Sequence, residues 1–286
     1  MKTIRSIRSM QKFAREASAK GKTIGLVPTM GYLHDGHLSL VRRAVKVSDV
    51  VVVTIFVNPA QFGPKEDLDK YPRDEKGDIA KIKEALGRKA RSAAVFVPKA
   101  EDIYPDDFDT WVEVKGQTSI LEGKSRPTHF RGVTTVVAKL FNITRPDVAV
   151  FGQKDFQQAV VLKKMARDLG YPVKMVIGAT VREDDGLAMS SRNKYFDDIS
   201  RWEAVSLYYA LRTAKDMVKA GIRDPEKIAK EMAAVIGATS PTAKIDYIAF
   251  NEHDTLKPAD KVGKGTVCSL AVKIRGVRLI DNMKLG

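Results

Sequence analysis

The chain of 286 residues is long enough for about two domains at ~150 residues each, and its 44% apolar content is ordinary for a protein that folds around real cores. No uninterrupted apolar run approaches the ~18 residues of a membrane-spanning helix, which excludes an integral helical membrane protein. A single cysteine, Cys268, excludes an internal disulfide and a thiolate metal cluster, so a reducing, cytoplasmic setting is expected, while 49 Lys and Arg against 35 Asp and Glu leave a net charge of +14 that favours anionic partners.

The first residues carry Arg5, Arg8, Lys12 and Arg15 on one helical stripe, opposite Ile4, Ile7, Ala14 and Ala17. This spacing predicts an amphipathic helix with a solvated basic face. The same Arg- and Ser-rich, acid-poor opening is similar to an organelle transit peptide, but its apolar stripe leads straight into a strand, and it is read as the first helix of the fold. Short apolar, β-branched runs follow at residues 23–27, 50–57, 93–97, 148–151 and 173–177, with helical patterns between them at 38–47, 76–86, 133–142 and 156–169. The alternation predicts a parallel sheet with helical crossovers, the α/β class. After about residue 180 the pattern changes: helices at 199–220 and 225–236 precede strands at 244–250, 266–272 and 277–280, as in a separate, smaller α+β domain.

Chemistry concentrates after the first of these apolar runs, where Pro28-Thr29-Met30-Gly31-Tyr32-Leu33-His34-Asp35-Gly36-His37 holds two of the four histidines. In an open α/β sheet, ligands bind at the carboxyl ends of the strands, and a helix N-terminus there offers unpaired N–H groups to phosphate. His34 and His37 can add donors while Gly36 lets a nucleotide approach the backbone; the competing role for both histidines is to cap the helix. Zinc is disfavoured because no third histidine or cysteine lies nearby. Gly21-Lys22-Thr23 imitates the end of a P-loop, but Glu16 stands where its first glycine belongs and the triplet precedes the strand. A second candidate is Met189-Ser190-Ser191-Arg192-Asn193-Lys194, whose hydroxyls and cations suit a departing pyrophosphate.

Together, His-x-Gly-His and Met-Ser-Ser-Arg resemble the paired signatures of the nucleotidylyltransferase superfamily. Longer stretches narrow the resemblance to the pantothenate synthetase (pantoate-beta-alanine ligase) family: Val27 through Gly31, Ile55-Phe56-Val57-Asn58-Pro59-Ala60-Gln61-Phe62, Arg126-Pro127-Thr128-His129-Phe130-Arg131-Gly132-Val133, and Phe151-Gly152-Gln153-Lys154-Asp155-Phe156-Gln157-Gln158. It spans about residues 22–196.

The resemblance implies a Rossmann-like domain at 1–180 that binds nucleotide and pantoate, and an α+β lid domain at 181–286. It also implies ATP-dependent joining of pantoate to beta-alanine through pantoyl-adenylate. By the same resemblance Pro28, Met30, His34, Gly36, His37, Phe151, Gly152, Lys154, Asp155, Val181, Met189, Ser190, Ser191 and Arg192 contact ATP. Of these, His34, His37, Lys154, Ser190 and Arg192 act on its phosphates, and Gln61, Gln158, Asn58 and Met30 hold pantoate. Magnesium is expected on the ATP phosphates. The family often has neighbouring acids where this chain has Gly77-Asp78, which leaves Asp78 as a weak candidate ligand. A homodimer is implied, and neither a specific nucleic-acid partner nor a membrane is expected. The +14 charge alone would also suit an RNA-binding module, but the aromatic content of 7% shows no clustering with basic residues of the kind a base-stacking groove needs.

Overall fold

Parallel strands form where the apolar runs recur, β2 (Ile24–Thr29), β3 (Val50–Ile55), β4 (Ala94–Phe96), β5 (Val148–Gly152) and β6 (Lys174–Gly178), and a short β1 (Lys2–Ile4) precedes them. They make one six-stranded sheet in the order β1-β4-β3-β2-β5-β6, parallel throughout. This is a computed structural model, and it describes residues 1–64 and 66–286. The chain divides into two units, Met1–Gly152 with Val161–Ala179, and Gln153–Val160 with Thr180–Gly286.

The strands of the first unit alternate between two faces, and both faces are covered. Val50 and Val52 share one core with Met10, Ala14 and Ala17 of α1 (Ile7–Ser18), with α6 (His129–Thr144) and with the Val161–Ala166 part of α7 (Phe156–Asp168). Val51 and Val53 share the other with Leu38, Val41 and Ala44 of α2 (Asp35–Val47) and Ile82 and Leu86 of α3 (Glu75–Leu86). That two-sided burial is why these strands read as continuous apolar runs. Two short helices, α4 (Ala100–Ile103) and α5 (Glu122–Ser125), lie between β4 and α6, in a segment for which no helix is predicted.

The N-terminal helix starts later than its pattern predicts. Ile4 belongs to β1, a three-residue edge strand paired with β4, and α1 begins at Ile7 behind the N-cap Ser6, whose hydroxyl accepts the Ser9 N–H at 3.3 Å. A strand this short has no readable period.

The second unit stacks α8 (Asp198–Ala204), α9 (Ser206–Lys219) and α10 (Pro225–Thr239) on an antiparallel sheet of β7 (Lys244–Glu252), β8 (Thr266–Ile274) and β9 (Val277–Leu285). The long helix expected at 199–220 is therefore two, separated by a tightened turn in which the Val205 N–H reaches the Trp202 carbonyl at 3.3 Å. The end of α8 is pinned there by buried Glu203, which accepts from Ser240, Thr242 and Arg275. Strand β9 also outruns its predicted end at 280, because buried Asp281 and Asn282 interrupt the apolar pattern. No helix among the described residues is long and apolar enough to cross a membrane.

Candidate active site

The chain leaves β2 toward β3 on one side of the sheet, whereas β5 and β6 extend it on the other. Paired β2 and β5 therefore flank the topological switch point, the position where open α/β sheets bind ligands beyond their carboxyl ends. Pro28 and Met30 lie at the carboxyl end of β2, Phe151 and Gly152 at that of β5, and Asn58 and Gln61 just beyond β3.

The loop from β2 to α2 is built to hold one shape. Thr29 ties the strand ends together, its hydroxyl donating to the Thr54 carbonyl at 2.6 Å. Gly31 and Tyr32 then take left-handed backbone conformations, φ 85° and 51°. For Tyr32 this is unfavourable unless its surroundings enforce it. They do: buried Asp78 on α3 accepts the N–H groups of Tyr32 and Leu33, each at 2.7 Å, and Lys81 one turn later donates to the Leu33 carbonyl at 2.9 Å. Burial is the main cause that raises the Asp78 carboxyl above its ordinary range, opposed by these N–H bonds.

Each Asp78 oxygen accepts one backbone N–H of the loop, which gives this carboxylate a structural task beside the ligand role expected for it. Gly77 has a local reason too. Its N–H donates to Asp74, the N-cap of α3, at 3.0 Å, and a Cβ added at Gly77 would stand 2.0 Å from an Asp74 oxygen. Among the described residues no group of three or more His, Cys, Asp or Glu is placed to hold a metal ion.

His34 is the N-cap of α2 and His37 its third residue, with ring centroids 4.1 Å apart. The His34 N–H points at His37 Nδ1 across a long 3.5 Å. Capping and ligand binding are compatible here, because a neutral His37 that accepts at Nδ1 carries its proton on Nε2.

Beyond β3, Asn58 is buried and fully oriented. Its amide nitrogen donates to the Gly132 carbonyl at 3.1 Å and to Gln61 Oε1 at 3.0 Å, and its oxygen accepts from the Tyr104 hydroxyl at 2.8 Å. Because the Gly132 carbonyl can only accept, the flip of Asn58 is determined, and so is that of Gln61. Gln61 is left presenting its amide nitrogen, 3.1 Å from Met30 Sδ. A Cβ at Gly132 would fall 2.2 Å from the Ala60 carbonyl oxygen, so only glycine lets α6 approach this turn.

Behind Gln61, buried His129 and Arg126 hold its backbone carbonyl, at 3.0 and 3.4 Å, while Arg126 grips Glu66 with two bonds of 2.7 and 2.6 Å. Burial first, and Arg126 second, push His129 down to about 4. The ring is thus neutral, donating from Nδ1 and taking the Arg126 N–H at Nε2. Tyr104 and Glu66 lie outside the sequence motifs of this region, Ile55 to Phe62 and Arg126 to Val133, and His129 is marked only by its place in the second.

The remaining predicted residues lie in the second unit. Lys154 and Asp155 end a 3-10 turn at Gln153–Asp155, and half-buried Gln158 follows on the first turn of α7. Val181 and Met189 close a hairpin arm, the Met189 N–H donating to the Val181 carbonyl at 3.0 Å, with Arg182 bridged to Ala188. Arg201 braces the arm through Glu183 and Asp185 at 2.9 and 2.6 Å, and Asn193 donates to Glu183 at 2.7 Å. Ser190 then caps the 3-10 turn Ser191–Tyr195 by accepting the Arg192 N–H at 3.3 Å, and Ser191 is buried.

A sequence model of the pantoate-beta-alanine ligase family matches residues 2–284. The chain is 49% identical over 285 residues to pantothenate synthetase of Moorella thermoacetica, covering 100% of this chain and 99% of that protein. It is 50% identical over 286 residues to that of Thermotoga petrophila, with both chains fully covered. Its fold is similar to the crystal structure of pantothenate synthetase from Thermus thermophilus, with a TM-score of 0.91, 41% identity and 99% of each chain covered. It is also similar to pantoate-beta-alanine ligase from Francisella tularensis, solved with beta-gamma ATP and beta-alanine, with a TM-score of 0.80, 35% identity, and 99% of this chain and 97% of that one covered.

Proposed function

The chain belongs to the pantoate-beta-alanine ligase family, and we propose that it joins pantoate to beta-alanine through a pantoyl-adenylate formed from ATP. The observation that carries this reading is the placement of His34 and His37 at the N-terminus of α2, directly beyond β2 at the switch point of the sheet.

A carboxylate is a poor electrophile, and adenylation supplies the leaving group it lacks. A pantoate carboxylate oxygen attacks the α-phosphorus, the bond from that phosphorus to the bridging oxygen breaks, and pyrophosphate departs. The amine of beta-alanine then attacks the activated carbonyl, AMP leaves with the electron pair of the C–O bond, and the nitrogen loses a proton. Neither step needs a covalent enzyme nucleophile, so the protein contributes positioning and charge stabilisation.

In this reading the α2 N-terminus and the His34 and His37 donors receive the nucleotide phosphates, with Pro28, Met30 and Gly36 beside it. Lys154, Ser190 and Arg192 neutralise charge that builds on the leaving pyrophosphate. Phe151, Gly152, Asp155, Val181, Met189 and Ser191 contact the nucleoside or frame its loop. Gln61, locked with its amide nitrogen outward, donates to pantoate oxygen, and Gln158 supplies the second amide, with Asn58 and Met30 supporting.

Magnesium comes bound to the ATP phosphates, where it shields their charge, and this chain's carboxylates are not needed to hold it. We extend the reading to a cytoplasmic homodimer with residues 181–286 as its lid domain. The test is direct: purified protein given pantoate, beta-alanine and Mg-ATP should yield pantothenate and AMP in equal amounts, and omission of any one substrate should abolish both.

A further inference from the structure

We propose that Asp281 and Asn282, adjacent on the last strand, are positioning residues for adenylation that set both phosphate-binding segments of the second unit. The proposal rests on the reading that Lys154, Ser190 and Arg192 bind the phosphates of ATP.

Both residues are buried, 4% exposed, on a strand whose ladder to β8 does not require polar side chains. Asn282 directs its whole amide at the turn that carries Lys154. Its nitrogen donates to the Gln153 carbonyl at 3.0 Å and to the Lys154 carbonyl at 2.9 Å, and its oxygen accepts from the Gln153 amide at 2.9 Å. These three bonds fix the backbone from which the Lys154 ammonium projects.

Asp281 faces the other segment. It takes Arg182 in a bidentate pair at 2.6 and 3.0 Å, and the same guanidinium donates to the Gly186 carbonyl at 3.0 Å and lies 4.9 Å from the Tyr208 ring centroid. Arg182 is the second residue of the hairpin arm that delivers Ser190 and Arg192. The Asp281 carboxylate also accepts the backbone N–H of Asn282 at 2.7 Å, which helps to orient that carboxylate.

A buried carboxylate and a buried amide are costly unless each bond is made. Here, apart from the bond between the two residues themselves, the side-chain bonds go to segments that carry the proposed phosphate-binding side chains. One dipeptide thus holds the lysine and the Ser-Ser-Arg arm in a fixed mutual geometry, and reactions that depend on positioning lose rate steeply when such geometry loosens.

The test is a double-mutant cycle read by single-turnover pyrophosphate release from pantoate and Mg-ATP without beta-alanine. Asn282→Ala should slow release by about 10- to 100-fold in the wild-type background. In a Lys154→Ala background it should slow release less than about twofold, because it acts through that lysine. Asp281→Asn against Arg192→Ala forms a second cycle with the same expectation. If Asn282→Ala does not fold, Gln153→Ala carries the test, since it leaves Asn282 and its two bonds to backbone carbonyls in place and removes only the donor to the Asn282 amide oxygen, so a smaller slowing that again disappears in the Lys154→Ala background is expected. Equal slowing in both backgrounds, or no slowing in a folded variant, would overturn the proposal. A Lys154→Ala enzyme as fast as wild type would instead remove Lys154 from phosphate binding, and the proposal would fall with that reading.

Discussion

Asp78 holds Tyr32 in a left-handed conformation, φ 51°, by accepting its backbone N–H at 2.7 Å from one turn inside α3. The consequence is a rigid approach to His34. Asp78→Ala should remove two charge-assisted bonds and release the strained residue, costing on the order of 3 kcal/mol of stability. Adenylation should fall at least about tenfold, because the loop that aims the histidines is no longer set. Denaturant unfolding together with single-turnover rates checks this; a stable variant at full rate would remove Asp78 from the support of the site.

His129 gives the protein a pH dependence with a definite sign. Its folded pKa of about 4 lies below the ordinary 6.5, so between these values the unfolded chain binds a proton that the fold excludes. Its contribution to stability is complete above about pH 6.5 and is lost as the pH falls toward 4, by at most about 1.4 kcal/mol per pH unit. His129→Asn keeps a donor for the Gln61 carbonyl but cannot titrate there, so its unfolding midpoint should change less between pH 7 and pH 5. Equal slopes for the two proteins would assign the acid sensitivity elsewhere.

In the proposed function, His37→Ala and Lys154→Ala each remove a donor to charge that shifts during adenylation. By comparison with the loss of one oxyanion donor, each should lower the adenylation rate on the order of 10²- to 10³-fold with circular dichroism unchanged. Near-normal single-turnover rates would leave His37 as a capping residue and Lys154 as a surface lysine.

On the proposal that Ser190 and Arg192 engage its phosphates, ATP should protect the backbone amides of residues 189–193 from hydrogen exchange. Arg192→Ala should lose that protection and most of the rate. Identical exchange with and without saturating ATP would show that this loop does not engage the nucleotide.

Much of this was legible in the sequence because the strands of the first unit are buried on both faces, so that Val50 to Val53 announce themselves as an apolar run. The histidine pair and Gln61 were legible as motifs. Their supports were not, since Asp78, Tyr104 and Asn282 reach partners 45 to 129 residues away in the chain and show no local period. Asp281-Asn282 in particular reads as the end of a strand, whereas it is the interior of one. Two consecutive polar residues flanked by Ile280 and Met283 are the one signal that could have marked them. Likewise β1 and the break at Val205 are single-turn or three-residue features, set by what they pack against.

The two-step chemistry is the central claim, and pyrophosphate exchange tests it most directly. With pantoate and Mg-ATP present and beta-alanine absent, labelled pyrophosphate should appear in ATP, because the first half-reaction is reversible and needs no amine. Exchange that appears only when beta-alanine is added would contradict a pantoyl-adenylate formed before the amine binds.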